Sequence, residues 1–448
     1  MTSDQLSLRS AALSLDHSEI AALPYAGGTN RNALLYLIVG ALFIPYSTAF
    51  YLGTLKLTPI KFLIVCLIFP ATAKLIGAAS RGQRRLLLSD ACVLGVFILM
   101  FAGPVAISGT RDFVSALSQA FEFFGMYVIT RALVFDDGSL RSLAKGLQIM
   151  TIVVVALGLL DIVFQRYVAQ EAVWSVFTTS GREFDTSDPQ LHRIVMGFSS
   201  LRAVSTFDHP ILFGTFCATV LPLHLYAPES RGRRVLLVLT CILGSLIALS
   251  SAPLLALTMA TSLCAYDMLM RKYAWRWKFI LSAMFACVAA FSLASDNPLG
   301  FLFRNLTLDP QTAYFRLLIW EAGLDVIGKN LLLGIGFNPS GSRILDFSTD
   351  SLWLAKSIIF GIPMTTLLYL SAIGAMTPIR HQAIIREGQP FLDRMCTSFS
   401  IILGAIMFIS ITVTFWNTVW LFFALCIGVR ASLKERCLLG RRELYEIA

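Results

Sequence analysis

The chain has 448 residues, of which 56% are hydrophobic and 14% charged, with a formal net charge of +9 and a mean hydropathy of +0.72. A soluble domain carries roughly 25% charged residues, so this composition excludes an ordinary water-soluble enzyme and points to a surface that meets lipid. A spanning helix takes about 20 apolar residues; about twelve spans would leave room for loops and tails but for no separate soluble catalytic domain.

Residues 1–32 are polar and mixed in charge, with no apolar stretch ahead of a small-residue cleavage site, and are expected to form a cytoplasmic tail. The first apolar runs are Ala33 to Tyr51, Thr58 to Ala78, Ala91 to Ser108, Val114 to Leu133 and Leu147 to Phe164. Pro210 to Tyr226, Val235 to Leu249, Leu254 to Met270 and Phe279 to Ala294 follow, then Leu352 to Ala375, Cys396 to Val413 and Val419 to Val429. The last run is short for a span, and a turn near Trp416-Asn417 sets it off from the one before. The expected fold is all-α: a polytopic transmembrane helix bundle of about twelve spans over residues 33–432, with a second cytoplasmic tail at 433–448.

Orientation is read from short basic loops, which stay on the cytoplasmic side. Arg81, Arg84 and Arg85 follow the second run; Arg131, Arg141 and Lys145 the fourth; Arg231, Arg233 and Arg234 the sixth. Arg271, Lys272, Arg276 and Lys278 follow the eighth, Arg380, Arg386 and Arg394 the tenth, and Arg430, Lys434 and Arg436 the twelfth. Every even-numbered exit is basic, which predicts both termini inside. The net positive charge is then a cytoplasmic bias facing anionic lipid and requires no nucleic acid.

Two odd-numbered exits are long, residues 165–209 and 295–351, and are expected to form a cap on the far side. The second contains a helical pattern from Gln311 to Lys329, with apolar residues at Phe315, Leu318, Ala322 and Val326, expected to lie on the membrane surface. All nine cysteines fall in the spans or the C-terminal tail, so the cap holds no disulfide framework. The cap is rich in arginine despite the charge rule: Arg166, Arg182, Arg193 and Arg202 in one loop, Arg304, Arg316 and Arg343 in the other. Each has an ordinary explanation, pairing with acids such as Glu183, Asp185 or Asp188. As a set they suit an anionic ligand, because arginine makes forked, permanently charged contacts to phosphate.

Three stretches carry the candidate chemistry. Around Arg202 to Pro210, Pro210 suits the first turn of a helix and Asp208 or Thr206 its cap, so an anion site is expected at that N-terminus with Arg202 and His209 beside it; a plain capped helix is the alternative. Tyr314-Phe-Arg316 leads to Trp320, four residues on and on the same helix face, where arginine and ring could hold a sugar diphosphate or merely anchor the helix in headgroups. Asp350 precedes the tenth run and is either an N-cap or a carboxylate that orients or deprotonates a hydroxyl. Within the spans Glu122, Asp161 and Lys356 are buried-charge candidates, the last two near enough to the far ends to be wet. No P-loop, His-Glu-x-x-His or Cys-x-x-Cys occurs, no cofactor is implied, and no exterior carboxylate cluster suggests a metal.

With these residues in view, the layout resembles the O-antigen ligase and polysaccharide polymerase superfamily, bacterial inner-membrane glycosyltransferases with about twelve spans and enlarged loops after the fifth and ninth. The resemblance rests on Arg202 to Pro210 at the sixth span and on Arg316, Trp320 and Gly334-Ile-Gly336 before the tenth. Arg202 to Gly214 and Arg316 to Gly328 are similar to the family's arginine-to-glycine spacing but longer by one residue. Ligases of this kind carry a His-Asn pair where this chain has Asp350-Ser351, which favours a polymerase of exopolysaccharide repeats. The resemblance implies a metal-independent transfer of glycan from polyprenyl diphosphate to a lipid-linked acceptor at the periplasmic face. It implies that Arg202, Arg316, Asp350 and His209 act in catalysis and that Arg304, Tyr314, Trp320 and Arg193 bind substrate. Its implied partners are the polyprenyl-diphosphate-linked oligosaccharide, membrane lipid, and chain-length regulator and export proteins. A ligase, and in another class a transporter or flippase, are the alternatives.

Overall fold

The computed structural model describes residues 28–52, 55–176, 191–195, 198–294, 310–377 and 390–446. Residues 1–27 of the tail expected at 1–32, the basic residues Arg380 and Arg386, and the loop residues Arg182, Glu183, Asp185, Asp188 and Arg304 lie outside them, while 28–32 open the first helix.

The chain is an all-α membrane helix bundle. The long helices, in chain order, are α1 (Gly28–Leu42), α2 (Pro59–Ser80), α3 (Leu88–Ser108), α4 (Phe113–Leu133) and α5 (Asp137–Phe164); a short α6 (Val168–Val176) follows. Then come α7 (Pro210–Tyr226), α8 (Arg231–Ile247), α9 (Ser251–Leu269), α10 (Arg276–Ala294) and α11 (Pro310–Lys329), the short α12 (Arg343–Phe347), and α13 (Leu352–Met376), α14 (Pro390–Ile409) and α15 (Asn417–Glu446). Seven of these, α2 to α5, α9, α13 and α14, are long and apolar enough to cross a membrane, and α7 is a shorter apolar helix. Two antiparallel hairpins are the sheet among the described residues: β1 (Phe50–Leu52) with β2 (Leu55–Leu57), and β3 (His192–Val195) with β4 (Phe198–Leu201).

Surface and core are arranged for lipid. On α2, Phe62, Phe69 and Ile76 recur at two-turn spacing and are 59%, 70% and 60% exposed, while Ile60, Ile64, Ile68 and Leu75 on the other side are buried. A water-facing helix places charge where α2 places this apolar stripe. α7 is the opposite case, buried over almost its whole length with α8, α9 and α14 around it.

The helix ends sort into two layers. At one, the basic end, Arg31 pairs with Asp136 at 2.6 Å, Arg436 with Asp137 at 2.7 Å, and Arg276 with Asp267 at 2.7 Å. Arg271 faces Asp393 at 3.6 Å, and the Arg141 guanidinium lies 4.5 Å from the Phe391 ring centre. With Tyr226 at the end of α7 donating to Asp267 at 2.7 Å, these contacts gather the start of α1, the α4–α5, α7–α8 and α9–α10 turns, the start of α14 and the second half of α15. The tightest knot is Glu435, which accepts from Arg84 at 2.9 Å and from Arg131 at 2.7 Å, while Arg131 also donates to Asp90 at 2.9 Å. Both Arg131 and Glu435 are fully buried. The described exits after the second, fourth, sixth and eighth runs therefore lie together at one end, and the described parts of the two long connections meet at the other, the loop end.

Several boundaries differ from expectation. α1 stops at Leu42 rather than Tyr51, because Pro45 lacks an N–H and its ring keeps Ile44 out of helical geometry; the chain turns into the β1–β2 hairpin. α15 runs 30 residues, far beyond Val429, since charges of its continuation find partners on other helices: Glu435 with Arg84 and Arg131, and Arg436 with Asp137. The inward stripe of α11 is Arg316, Ile319, Gly323, Val326 and Ile327; of the expected Phe315, Leu318, Ala322 and Val326, Val326 lies on it and the other three are half-buried, one residue round. It packs on protein: a Cβ at Gly323 would lie 2.7 Å from the Leu354 side chain of α13.

α13 is broken. Gly361 has φ 83° and ψ 166°, a conformation open essentially to glycine alone, and Pro363 follows. The segment after α11 fills the gap. Ile335 N donates to Ile358 O at 2.8 Å, Gly336 N to Ile359 O at 3.0 Å, and Ile362 N to Leu331 O at 2.9 Å. Gly334 and Gly336, with φ of 70° and 64°, let that segment turn into the break. The backbone groups freed at depth are thus answered by protein, the condition for irregular chain inside a membrane.

Candidate site at the loop end

Four described segments meet at the loop end: the turn before α2, the run into α7, the approach to α13, and the α14–α15 turn. The run into α7 is held from below. Asp161 accepts backbone N–H groups from Val168 at 3.1 Å, Val204 at 3.1 Å and Ser205 at 2.7 Å, and the Gln170 side chain donates to the carbonyls of Ser205 and Phe207. Ser205 takes a left-handed φ of 57°, kept there by these bonds. Asp161 is accordingly fully buried and structural, not the wet residue expected.

Pro210 opens α7 as predicted, but the cap is His209, whose Nδ1 accepts the Ile211 N–H at 3.1 Å; neither Asp208 nor Thr206 supplies it. A neutral imidazole that accepts at Nδ1 carries its proton at Nε2, so His209 is a donor toward its surroundings. Asp208 instead accepts from Asn417 Nδ2 at 2.7 Å, and the His209 ring lies 6.1 Å from Trp416. Asp350 is not the cap of α13: Ser351 is, accepting from Leu354 N at 3.3 Å. The Asp350 carboxylate takes a hydrogen bond from Ser348 Oγ at 2.6 Å. Thr414 donates to the carbonyl of Thr349, and Leu352 N donates to Ser410 O at 2.9 Å, so the Asp350 segment is fastened to the α14–α15 turn.

The two arginines occupy different neighbourhoods. Arg202 is buried on β4's exit, with Nε donating to Ala248 O at 3.2 Å in the α8–α9 turn. Burial pushes its guanidinium down to about 10, with the exposed Arg193 adding to the fall and Tyr167 opposing it. Arg316 is buried at the head of the α11 stripe, and its Nε has no hydrogen-bond partner among the described residues. Burial lowers its guanidinium too, and the charge of Asp350 works against that fall. The charge of Asp350 thus reaches Arg316 without an ion pair between them, that of Arg193 reaches Arg202, and the His209 ring faces Trp416. Tyr314 is exposed and Trp320 half-buried on α11.

Beneath this layer lies a cavity of about 360 Å³ between α2, α4, α13 and α15, whose wall includes Lys56, Lys61, Glu122, Lys356, Trp416 and Trp420. Glu122, which sequence left without a partner, accepts from Lys61 of α2 at 2.7 Å and from Ser118 at 2.9 Å. Tyr46 lies in the same wall; burial raises its phenol, and Glu122 raises it further. Lys56 sits 4.2 Å from the centre of the Tyr46 ring. Sequence reasoning named Glu122 and Lys356 singly but missed Lys56, Lys61, Tyr46 and Asn417. The signal available was weak: Lys61 is a charge in the first turn of an apolar run, where snorkelling is the ordinary explanation. Compared with known proteins, the sequence matches no family model and no curated protein.

Proposed function

We propose that the chain polymerises polysaccharide repeat units in a bacterial inner membrane, transferring glycan from polyprenyl diphosphate to a lipid-linked acceptor at the loop end, with both termini cytoplasmic and the loop end periplasmic. The observation that carries this reading is Arg316: a buried guanidinium with an unused Nε donor, within reach of the charge of Asp350 at the loop end that also holds His209. Donors fixed in a desolvated site stabilise charge that develops during reaction far better than water does.

In this reading the bond from the sugar's anomeric carbon to the diphosphate oxygen breaks and its electron pair leaves on the diphosphate. Arg316 stabilises that charge, with Arg202 and Arg193 drawing the anionic headgroup to the loop end. The acceptor hydroxyl forms the new bond and loses its proton to Asp350; His209, a donor at Nε2, orients the acceptor instead of acting as base. Trp320 and Tyr314 are the sugar contacts. Chain-length regulator and export proteins fit as partners of such a polymerase.

Two other readings have support. A ligase uses the same donor chemistry and differs in acceptor. A transporter is favoured by the broken α13 and the charged cavity beneath it, both features of substrate paths through membranes. Arg316→Ala and Arg202→Ala separate chemistry from folding. Each is expected to abolish polymer in cells while full-length protein remains inserted, and retained full-length polymer in both variants refutes the assignment.

A further inference from the structure

The cavity between α2, α4, α13 and α15 contains a charge imbalance that the protein does not resolve. Three ammonium groups, Lys56, Lys61 and Lys356, face one carboxylate, Glu122; the next acid, Asp208, is engaged by Asn417. Glu122 is committed to Lys61 at 2.7 Å and to Ser118. Lys356 is 8% exposed, rests 4.5 Å from the Trp420 ring centre and 5.3 Å from that of Phe360, and makes no hydrogen bond or ion pair among the described residues. Aromatic faces soften the cost of burying an ammonium but do not replace its lost hydration. A buried cation aimed into an open cavity, with its three N–H donors unused, is a binding group in search of an anion.

From this geometry we infer that the cavity is an anion site for a phosphate or diphosphate group, in which Lys356 is the principal contact and Lys61, held in place by Glu122, is the second. Lys56 closes the rim on Tyr46. Trp416 and Trp420 give the wall flat apolar surface for a part of the ligand that is not phosphate. Lys356 stands four residues into α13 from Leu352, about 6 Å along the helix at 1.5 Å per residue, so an anion held by Lys356 lies below the segment that carries Asp350. The site stands independently of any transfer reaction; assigning its phosphate to a polyprenyl diphosphate rests on the proposed function.

The test uses the full-length protein in nanodiscs, with binding followed by tryptophan fluorescence, since two tryptophans line the wall. The probes are inorganic diphosphate and farnesyl diphosphate. Wild type and Lys356→Arg are expected to bind at least one of them with similar affinity, and Lys356→Met to bind it at least tenfold more weakly. Lys329→Met, at an exposed lysine on α11, is the control expected to match wild type. Saturation by inorganic diphosphate indicates a site for the free anion; binding of farnesyl diphosphate alone indicates a lipid-linked headgroup. Equal affinity of Lys356→Met and wild type overturns the inference, as does binding of neither probe to wild type. Because no sugar is transferred in this assay, a protein that binds but does not polymerise sinks the proposed function and leaves the site, and one that polymerises with unchanged binding in Lys356→Met does the reverse.

Discussion

Gly361→Ala should damage the protein more than any other single methyl addition in α13. The residue combines φ 83° with ψ 166°, which costs an L side chain about 1–3 kcal/mol. The added carbon would also stand 2.2 Å from Leu332 O and 2.9 Å from Leu333 N, both backbone atoms of the segment that fills the break. That segment cannot retreat without loosening three hydrogen bonds, from Ile335, Gly336 and Ile362, each worth about 0.5–1.5 kcal/mol net. The combined loss is roughly 3–7 kcal/mol. Thermal unfolding of purified protein in detergent measures it, with Gly404→Ala as the comparison. Gly404 lies in α14 with nothing within 4 Å of an added Cβ, so alanine there should gain up to about 1 kcal/mol. Equal midpoints for the two variants would refute the claim that α13 is broken at Gly361 and filled by Leu331–Gly336.

Glu435→Gln should destabilise by about 3–5 kcal/mol, because it leaves the buried Arg84 guanidinium without a carboxylate and Arg131 with Asp90 alone, whereas Lys329→Ala should cost under about 1 kcal/mol because its pair with Asp325 is exposed; thermal unfolding compares them, and similar losses contradict the burial argument. His209→Ala removes the α7 cap and should cost about 1 kcal/mol, while His209→Asn, which also caps, should restore stability without restoring the Nε2 donor to activity. Arg202 supplies a pH test. Its folded value, about 10, lies below the ordinary arginine value, so folding disfavours its protonated form and the penalty is constant wherever both states are protonated. The penalty is relieved only as pH rises from about 10 toward the ordinary value. The stability difference between wild type and Arg202→Met should therefore be flat from about pH 6 to 9, and a slope in that range would show that another group titrates with it.

The architecture was legible where composition alone decides it. The apolar run from Pro210 to Tyr226 coincides with α7 because Pro210 starts the helix and every side of it is buried. The described basic exits could be grouped in advance because each is a short local run of arginine and lysine that needs no distant contact to be read. Legibility failed where a residue's role is set by a partner far along the chain. Glu435 looks like the start of a solvated tail until Arg131, 304 residues earlier, is seen to claim it. Lys61 and Glu122 pair across 61 positions, and the break at Gly361 is stable only because Leu331–Gly336 folds back onto it. In the candidate site, Arg316, Asp350 and His209 could be named from sequence as residue types, but their local geometry could not. Two caps were assigned to the wrong neighbour, and the lysine-lined cavity has no contiguous motif to announce it.

The central claim is that this bundle makes glycosidic bonds at its loop end, and reconstitution tests it most directly. Purified protein in proteoliposomes is given polyprenyl-diphosphate-linked repeat units, and the products are resolved by size. A ladder of lipid-linked oligomers, lost in Arg316→Ala, is the result expected. Transfer of one block to an acceptor would mean a ligase, and movement of the substrate across the bilayer with no new glycosidic bond would contradict the account.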